Sequence, residues 1–217
     1  MNPIQAVLNL IYPPKCPFCG RVLERGEEGM CSHCQRTLPW VEGQNFPVDF
    51  CDVSLSPLRY QDGVRDAVHR YKFRYGRMHS QLLGTLMAQC LQDNWSEPVD
   101  AIVWVPLFPK NRRKRGYDQA ELLALRVGEL TGIPVLAGLE KIRNTATQSR
   151  LEKPPERRAN VLGAYRVRED VQLAGKRVVL VDDVVTSGAT LAECASCLRM
   201  AGAEHVVVLT LACARKK

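Results

Sequence analysis

The stretch that most constrains the fold is residues 177–190, which read Arg-Val-Val-Leu-Val-Asp-Asp-Val-Val-Thr-Ser-Gly-Ala-Thr. Residues 178–181 form an unbroken apolar run, which is typical of a strand buried on both faces of a parallel sheet. A loop of small residues follows, and apolar residues then recur at helical spacing until Gly202, which is placed to cap the helix. The order of strand, acidic pair, small loop and helix predicts an α/β domain whose parallel sheet is flanked by helices.

The acidic pair and the small loop also predict a ligand. In open α/β sheets, ligands bind outside the carboxyl ends of the strands, where Asp182 and Asp183 lie. A helix N-terminus suits a phosphate, and the hydroxyl groups of the loop add donors. Because like charges repel, the carboxylates would meet hydroxyl groups or a magnesium ion instead. A phosphate and a diol together describe a ribose 5-phosphate, and the alternative is an acidic turn without a ligand.

This stretch closely resembles the loop that binds 5-phosphoribosyl-1-pyrophosphate (PRPP) in type I phosphoribosyltransferases. The resemblance implies that Asp182 and Asp183 hold the ribose hydroxyls, and that they are the catalytic residues of any transfer reaction. It also implies a Mg²⁺ ion held mainly by the diphosphate. The implied PRPP-binding set is Asp182, Asp183, Val184, Val185, Thr186, Ser187, Gly188, Ala189 and Thr190.

A second motif lies near the N-terminus, where Cys16 and Cys19 are followed, after eleven residues, by Cys31 and Cys34. Two Cys-x-x-Cys pairs form the pattern of a zinc knuckle. Four thiolates at about 2.3 Å from Zn²⁺ complete a tetrahedron, so the predicted site is structural and not catalytic. Two reduced pairs or disulfides are the alternative, and His33 is a further candidate ligand.

These two motifs predict two parts of the chain. Residues 1–45 would hold a short helix over residues 1–12 and the zinc knuckle, and residues 46–217 would form the phosphoribosyltransferase-like domain. Residues 35–56 contain two prolines and a glycine, and we expect them to be an irregular linker.

Apolar periodicity predicts the other elements of the domain. Three helices are expected. The first has Val64, Ala67, Val68 and Tyr71 on its inward face, and the second spans residues 82–91. The third has Ala120, Leu123, Val127 and Leu130 on its inward face. Strands are expected over residues 101–105, 136–142, 161–167 and 206–211. Cys194, on the apolar stripe of the last helix, is expected to be buried.

Two basic segments lie where strands are expected to end. We expect a loop over residues 107–116 and a long polar loop over residues 143–160, which matches in place and charge the mobile lid of type I enzymes. Either segment could bind a pyrophosphate or a nucleic acid. The candidate residues are Lys110, Arg112, Arg113, Arg115 and Arg157.

Aromatic and basic residues alternate over residues 60–77. This pattern is typical of a groove for single-stranded nucleic acid, in which rings stack on bases and cations contact phosphates. The alternative is an amphipathic helix with a solvated basic face.

A second resemblance covers nearly the whole chain. Residues 105–107, Val-Pro-Leu, and residues 115–123, Arg-Gly-Tyr-Asp-Gln-Ala-Glu-Leu-Leu, are similar to the signature of the ComF family of ComFC and GntX-like proteins. Many members carry Asn in place of Asp118. The family joins a zinc knuckle to a phosphoribosyltransferase-like domain and is linked to natural competence and the use of external DNA.

Composition is compatible with this resemblance. The formal net charge of +7 favours an anionic partner, and no apolar run approaches the roughly 18 residues of a membrane span. Nine cysteines and the lack of a secretory signal lead us to expect a cytoplasmic protein. The resemblance implies PRPP or a nucleotide, single-stranded DNA and a helicase-like DNA translocase as partners. Alternatives are a non-catalytic nucleotide-sensing or DNA-gripping adaptor, and a base-salvage phosphoribosyltransferase.

Overall fold

The computed structural model describes residues 13–41, 46–73, 76–145 and 154–214 of the chain. The helix expected over residues 1–12 therefore lies outside the described residues.

A parallel sheet forms the centre of the described chain. Its strands are β1 (Val53–Leu55), β2 (Leu58–Arg59), β3 (Ala101–Trp104), β4 (Val135–Leu136), β7 (Arg177–Val185) and β8 (His205–Cys213). The strand order is β1-β8-β7-β3-β4, and β2 pairs with β8 further along the edge that β1 occupies. All these pairings are parallel, which confirms the predicted α/β class.

Strand β7 lies in the middle of this sheet, as its apolar run predicts. Val178 and Leu180 pack on one face of the sheet, while Val179 and Val181 pack on the other. All four are at most 1% exposed. The absence of alternation in the sequence thus reflects two covered faces.

Helices cover both faces of the sheet. The helices are α1 (Ser32–Thr37), α2 (Asp62–Phe73), α3 (Gly76–Asn94), α4 (Pro109–Arg115), α5 (Gln119–Thr131), α6 (Pro154–Val161) and α7 (Ala189–Met200). Residues of α2, α3 and α5 share one apolar core with the cysteine motif, and α7 packs in the other. The predicted inward residues of α2 and the burial of Cys194 are confirmed.

One predicted inward residue of α5 is wrong, because Leu130 is 40% exposed. The buried face runs instead through Ala124 and Gly128. Strand β4 passes so close to the helix that a Cβ on Gly128 would lie 2.4 Å from Val135 Cγ2. This close approach fixes which face of α5 meets the sheet and leaves Leu130 at the solvent side.

A small second sheet corrects two predicted strands. Residues 136–142 do not form one strand, because β4 ends at Leu136 and β5 (Leu139–Lys141) leaves the main sheet. Strand β6 (Tyr165–Val167) pairs antiparallel with β5, so residues 161–167 do not continue the main sheet either. Gly138 permits the break, since a Cβ there would lie 2.9 Å from Val103 Cγ2. We call β5 and β6 the hood sheet.

Three segments expected to be irregular contain regular structure. Residues 35–56 include the end of α1 and all of β1, and the polar segment 143–160 includes most of α6. The basic segment 107–116 contains α4, which starts at Pro109 and ends before Gly116 at φ 81°. Proline in the first turn and a left-handed glycine after the last are ordinary helix boundaries. The prediction of a loop overlooked them.

Candidate functional site

The four cysteines of the N-terminal motif come together as predicted. The Sγ atoms of Cys16, Cys19, Cys31 and Cys34 all lie within 4.8 Å of one another. Ligands at about 2.3 Å from a tetrahedral Zn²⁺ stand about 3.8 Å apart, and Cys19 Sγ lies 3.7 Å from Cys31 Sγ. The residues therefore fit a structural Zn²⁺ site with no position left for a substrate. His33 is exposed and is not part of this cluster.

Local backbone structure holds the second cysteine pair. Cys31 precedes α1, and its Sγ accepts a hydrogen bond from Cys34 N at 3.4 Å. Phe18, between the first two cysteines, is 1% exposed and packs in the core shared with α2 and α3. The cysteine motif is thus attached to the main domain by an aromatic side chain. We call residues 15–40 the zinc module.

The acidic pair lies at the carboxyl end of β7, as the sequence predicts. Asp182 Oδ1 accepts a hydrogen bond from Asp183 N at 2.7 Å, and Asp183 is only 4% exposed. Gly188, with φ 80°, then turns the chain into α7, and its carbonyl accepts from Ala192 N at 2.8 Å. Glycine suits this position because the left-handed region strains residues that carry a Cβ.

The environment of the pair opposes full ionisation. Burial raises the pKa of Asp182 well above its usual range, and the charge of Asp183 raises it further. The counter-charge comes from Lys72 at the end of α2, whose Nζ lies 2.8 Å from Asp183 Oδ2. Burial alone would lower the pKa of Lys72, but the ion pair and hydrogen bond with Asp183, together with the charge of Asp182, raise it on balance.

A cleft of about 1070 Å³ opens above the acidic pair and the loop. All nine residues of the predicted PRPP-binding set line it, which brings the set together at one place. The hood sheet contributes Lys141, whose Nζ lies 4.9 Å from the centre of the Tyr165 ring and whose pKa is lowered by burial. The rest of the lining comes from α2, the segment after β3, and α6. Its residues include Lys72, Phe73, Leu107, Lys114, Arg115, Tyr117 and Arg157.

The predicted basic residues divide into two groups. Arg115 and Arg157 line the cleft, and Arg157 Nη1 donates to Thr186 Oγ1 at 3.3 Å. Lys110, Arg112 and Arg113 are exposed on α4 and do not line the cleft. Arg112 instead lies 2.9 Å from Glu121 in an ion pair. The helical form of α4 causes this division, since a helix cannot point all its residues toward one side.

Residues 60–73 do not form a continuous stacking groove. Tyr71 is buried, and its hydroxyl donates to the Gln119 carbonyl at 2.6 Å, so its ring cannot stack on a base. Arg70 is directed to the zinc module, where its Nη1 donates to the Pro17 carbonyl at 2.6 Å. Phe73 is exposed, and its ring centre lies 4.9 Å from that of His69 and 5.2 Å from the Arg115 guanidinium. Residues 74 and 75 of the predicted pattern lie outside the described residues.

Asp118 is a buried structural residue that supports the cleft wall at Leu107. Its Oδ1 accepts from Ala120 N at 3.1 Å and so caps α5, while its Oδ2 accepts from Leu107 N at 2.7 Å. Burial raises the pKa of this carboxyl group, although its backbone hydrogen bonds act in the opposite direction. One side chain therefore fixes both the start of α5 and the segment that follows β3.

Sequence reasoning missed Lys72 and Lys141 as cleft residues, and it included Lys114 only as one of five cations in the basic segment 107–116. Lys72 belongs to an amphipathic helix that is distant in sequence from β7, and Lys141 belongs to a strand that leaves the main sheet. The basic run around Lys114 was noticed, but its helical phase was not. The signal for Lys114 was available in the Pro109 and Gly116 boundaries, whereas nothing in the sequence pairs Lys72 with Asp183.

Two family models match the chain. The double zinc ribbon domain matches residues 7–62, and the phosphoribosyl transferase domain matches residues 120–217.

Within the part of the chain that the structure describes, one cluster of four cysteines fits a metal. No helix among the described residues is long and apolar enough to cross a membrane.

Three curated proteins show how far the similarity extends. The chain is 28% identical to competence protein F of Haemophilus influenzae, over 91% of this chain and 96% of that protein. It is 34% identical to the DNA utilization protein YhgH of Salmonella typhi, over 90% of this chain and 82% of that protein. It is 26% identical to competence protein ComFC of Streptococcus pneumoniae, over 90% of this chain and 86% of that protein.

Proposed function

The chain belongs to the ComF family of competence and DNA utilization proteins, and from this premise we propose that its cleft binds Mg–PRPP and that it acts in the uptake or use of external DNA. We propose a cytoplasmic location for this activity. The observation that carries the proposal is the acidic pair and phosphate loop at the carboxyl end of β7, which face a cleft lined by cations.

Each wall of the cleft has a part in this proposal. The 5-phosphate would lie on residues 186–190, where small residues let it approach the start of α7 and hydroxyl groups donate to it. The ribose hydroxyls would donate to the carboxylates of Asp182 and Asp183. Lys114 and Arg115 would face the diphosphate, because they supply positive charge to the cleft. Arg157 would add positive charge from the side of the loop, where its Nη1 donates to Thr186 Oγ1.

The reaction that this arrangement supports is ribosyl transfer. A nucleophile would form a bond to C1 of the ribose while the bond from C1 to the pyrophosphate oxygen breaks, and the bonding electrons would leave with pyrophosphate. Mg²⁺, held mainly by the diphosphate, would supply neutralisation of the leaving group. The cleft cations would stabilise the same developing charge, because they are already fixed in place before it forms.

Calorimetric titration with Mg–PRPP tests the ligand. Asp182→Asn combined with Asp183→Asn should abolish binding, because hydrogen bonds to charged acceptors contribute roughly 1.5–3 kcal/mol each. Asp66→Asn with Asp93→Asn is the matched control, since it removes two charges from exposed helix positions outside the cleft. Equal PRPP affinity in the wild type and the acidic-pair variant, with circular dichroism unchanged, would contradict the assignment.

We propose that single-stranded DNA lies along α4, beside the cleft. Lys110, Arg112 and Arg113 support this, because they are exposed cations that do not line the cleft. The zinc module is the surface that we assign to a helicase-like DNA translocase.

Fluorescence anisotropy with a labelled oligonucleotide tests DNA binding. Arg112→Gln with Arg113→Gln should reduce the slope of log affinity against log salt by about 1.4, since each contact to a single strand contributes about 0.7. Lys176→Gln with Arg177→Gln, at the opposite end of β7, should leave the slope unchanged. A flat salt response, or no binding at low salt, would count against DNA handling and leave PRPP binding untouched.

A further inference from the structure

Lys72 makes a contact that the proposed reaction does not use. It lies near the C-terminal end of α2, and its Nζ is 2.8 Å from Asp183 Oδ2. The Asp183 side chain is 6% exposed, so water supplies little of the solvation that its charge requires. Burying a carboxylate without a partner costs folding free energy. The cation that balances the charge of Asp183 is therefore part of the site.

Contacts with the backbone of the zinc module hold α2 in place. Arg70 Nη1 donates to the Pro17 carbonyl at 2.6 Å and lies 3.3 Å from the Phe18 carbonyl. At the other end of the helix, a Cβ on Gly63 would lie 3.1 Å from the same Phe18 carbonyl. The backbone of the zinc module thus contacts α2 at two points, and the helix presents Lys72 to Asp183 from a defined position.

Other titratable groups also face the acidic pair, but their effects on its charge differ. Lys141 is the second cation that interacts with Asp182, and its own pKa is lowered by burial. Asp118 carries the same sign of charge as the pair and opposes its ionisation. The remaining neighbours are Tyr71, Tyr165 and Cys194 at the pair and Tyr60 at Lys72, and none of them supplies a positive charge. Among the described groups, Lys72 is the cation in ion-pair contact with the acidic pair.

We infer that Lys72 is a positioning residue that keeps the acidic pair charged and oriented, so that it can accept hydrogen bonds from a ligand diol. A carboxylate has about four lone-pair sites, so Asp183 can keep its contact with Lys72 and still accept from a hydroxyl group. The inference rests on the proposed function in one respect, namely that the ligand is the ribose of PRPP. The effect on the charge of the pair is independent of that ligand.

The charge of the pair is measured in the ligand-free protein by ¹³C NMR of the aspartate carboxyl groups, with Asp182→Asn and Asp183→Asn used for assignment. Lys72→Met should raise the apparent pKa of the pair by roughly 1–3, because an adjacent opposite charge has been removed. Lys72→Arg should restore most of the wild-type titration. Arg65→Gln removes a charge from an exposed position of the same helix and should change nothing. An unchanged titration in folded Lys72→Met would overturn the inference.

The same variants then separate this inference from the proposed function. At pH 7, Lys72→Met should bind Mg–PRPP about tenfold more weakly, and the loss should shrink as the pH rises and the pair ionises. Affinity equal to or above that of the wild type would show that Lys72 competes with the ribose, which also overturns the inference. If the wild type binds no PRPP, the proposed function fails, while the ligand-free titration still decides the role of Lys72.

Discussion

The zinc module and the cleft both bring charged side chains together, but they differ in how that charge is balanced. The four thiolates of the zinc module come from a short segment, Cys16 to Cys34, and face one another closely enough for one ion to neutralise them. The charged side chains of the cleft come from α2, β5, α6 and β7, which are distant in sequence. They line an open volume of about 1070 Å³. The first site is completed by its metal and serves stability. The second retains unbalanced charge, which makes it able to bind.

The largest expected effect is on the zinc module. Cys31→Ser should lose the metal and unfold mainly residues 15–40, because structural zinc stabilises isolated finger peptides by on the order of 10–16 kcal/mol. Cys51→Ser, which changes a thiol outside the cluster, should retain zinc. Metal analysis and hydrogen exchange measure both outcomes. Loss of zinc without local unfolding would show that the zinc module is stable without its metal. The statement that this site serves stability would then be wrong.

A phenylalanine in each region tests the contrast in packing. Phe18→Ala should reduce the free energy of unfolding by about 3–5 kcal/mol, because its ring is buried in the core shared with α2. Phe73→Ala should change it by less than about 0.5 kcal/mol, because Phe73 is 62% exposed at the cleft. Denaturant unfolding of both variants measures the difference. Similar losses would show that the cleft wall is also part of the core.

The acidic pair should cost stability, and the cost should depend on pH. A native pKa of Asp182 above its unfolded value means that the folded state binds more protons, so stability falls as the pH rises between the two values. Asp182→Asn should therefore raise the free energy of unfolding at pH 7.5 by at least about 1.4 kcal/mol, which corresponds to a difference of one in pKa. The gain should disappear near pH 4.

Thermal unfolding at the two pH values checks the sign of this effect, with Asp66→Asn as an exposed control. A loss of stability at pH 7.5 would mean that the charged form of Asp182 stabilises the fold. The acidic pair would then contribute to stability, as the zinc module does, and the contrast drawn between the two regions would be wrong.

Sequence reasoning was most successful where the signal is local. The cysteine spacing predicted the zinc module, and the apolar run of residues 178–181 predicted the central strand with its acidic end. In both cases neighbouring residues determine the outcome. The assignment of Leu130 to the core was wrong because the face of α5 is fixed by the approach of Val135 to Gly128, which is a tertiary contact.

The rest of the cleft could not be predicted for the same reason. The contact of Lys72 with Asp183 joins α2 to β7 across more than half of the chain, and no periodicity encodes it. The hood sheet was missed because β5 and β6 are three residues each, too short for alternation to be distinguished from a strand of the main sheet. The sequence did place residues 182–190 together at the end of β7, where they line the cleft. Their role stays a prediction until a ligand is measured.

The position of β8 has a consequence for how the protein is made. Among the described residues, β1 pairs with β8 alone, whereas Leu58 of β2 also bridges to Trp40. Ser56 Oγ lies 2.5 Å from Thr210 Oγ1, 154 residues later in the chain. On the ribosome, the zinc module emerges early and can bind its metal at once. Strand β1 must wait for almost all of the remaining chain, because contacts of large sequence separation form late. Until then its unpaired backbone groups are open to association with other nascent chains, so slow translation of residues 60–204 would favour aggregation.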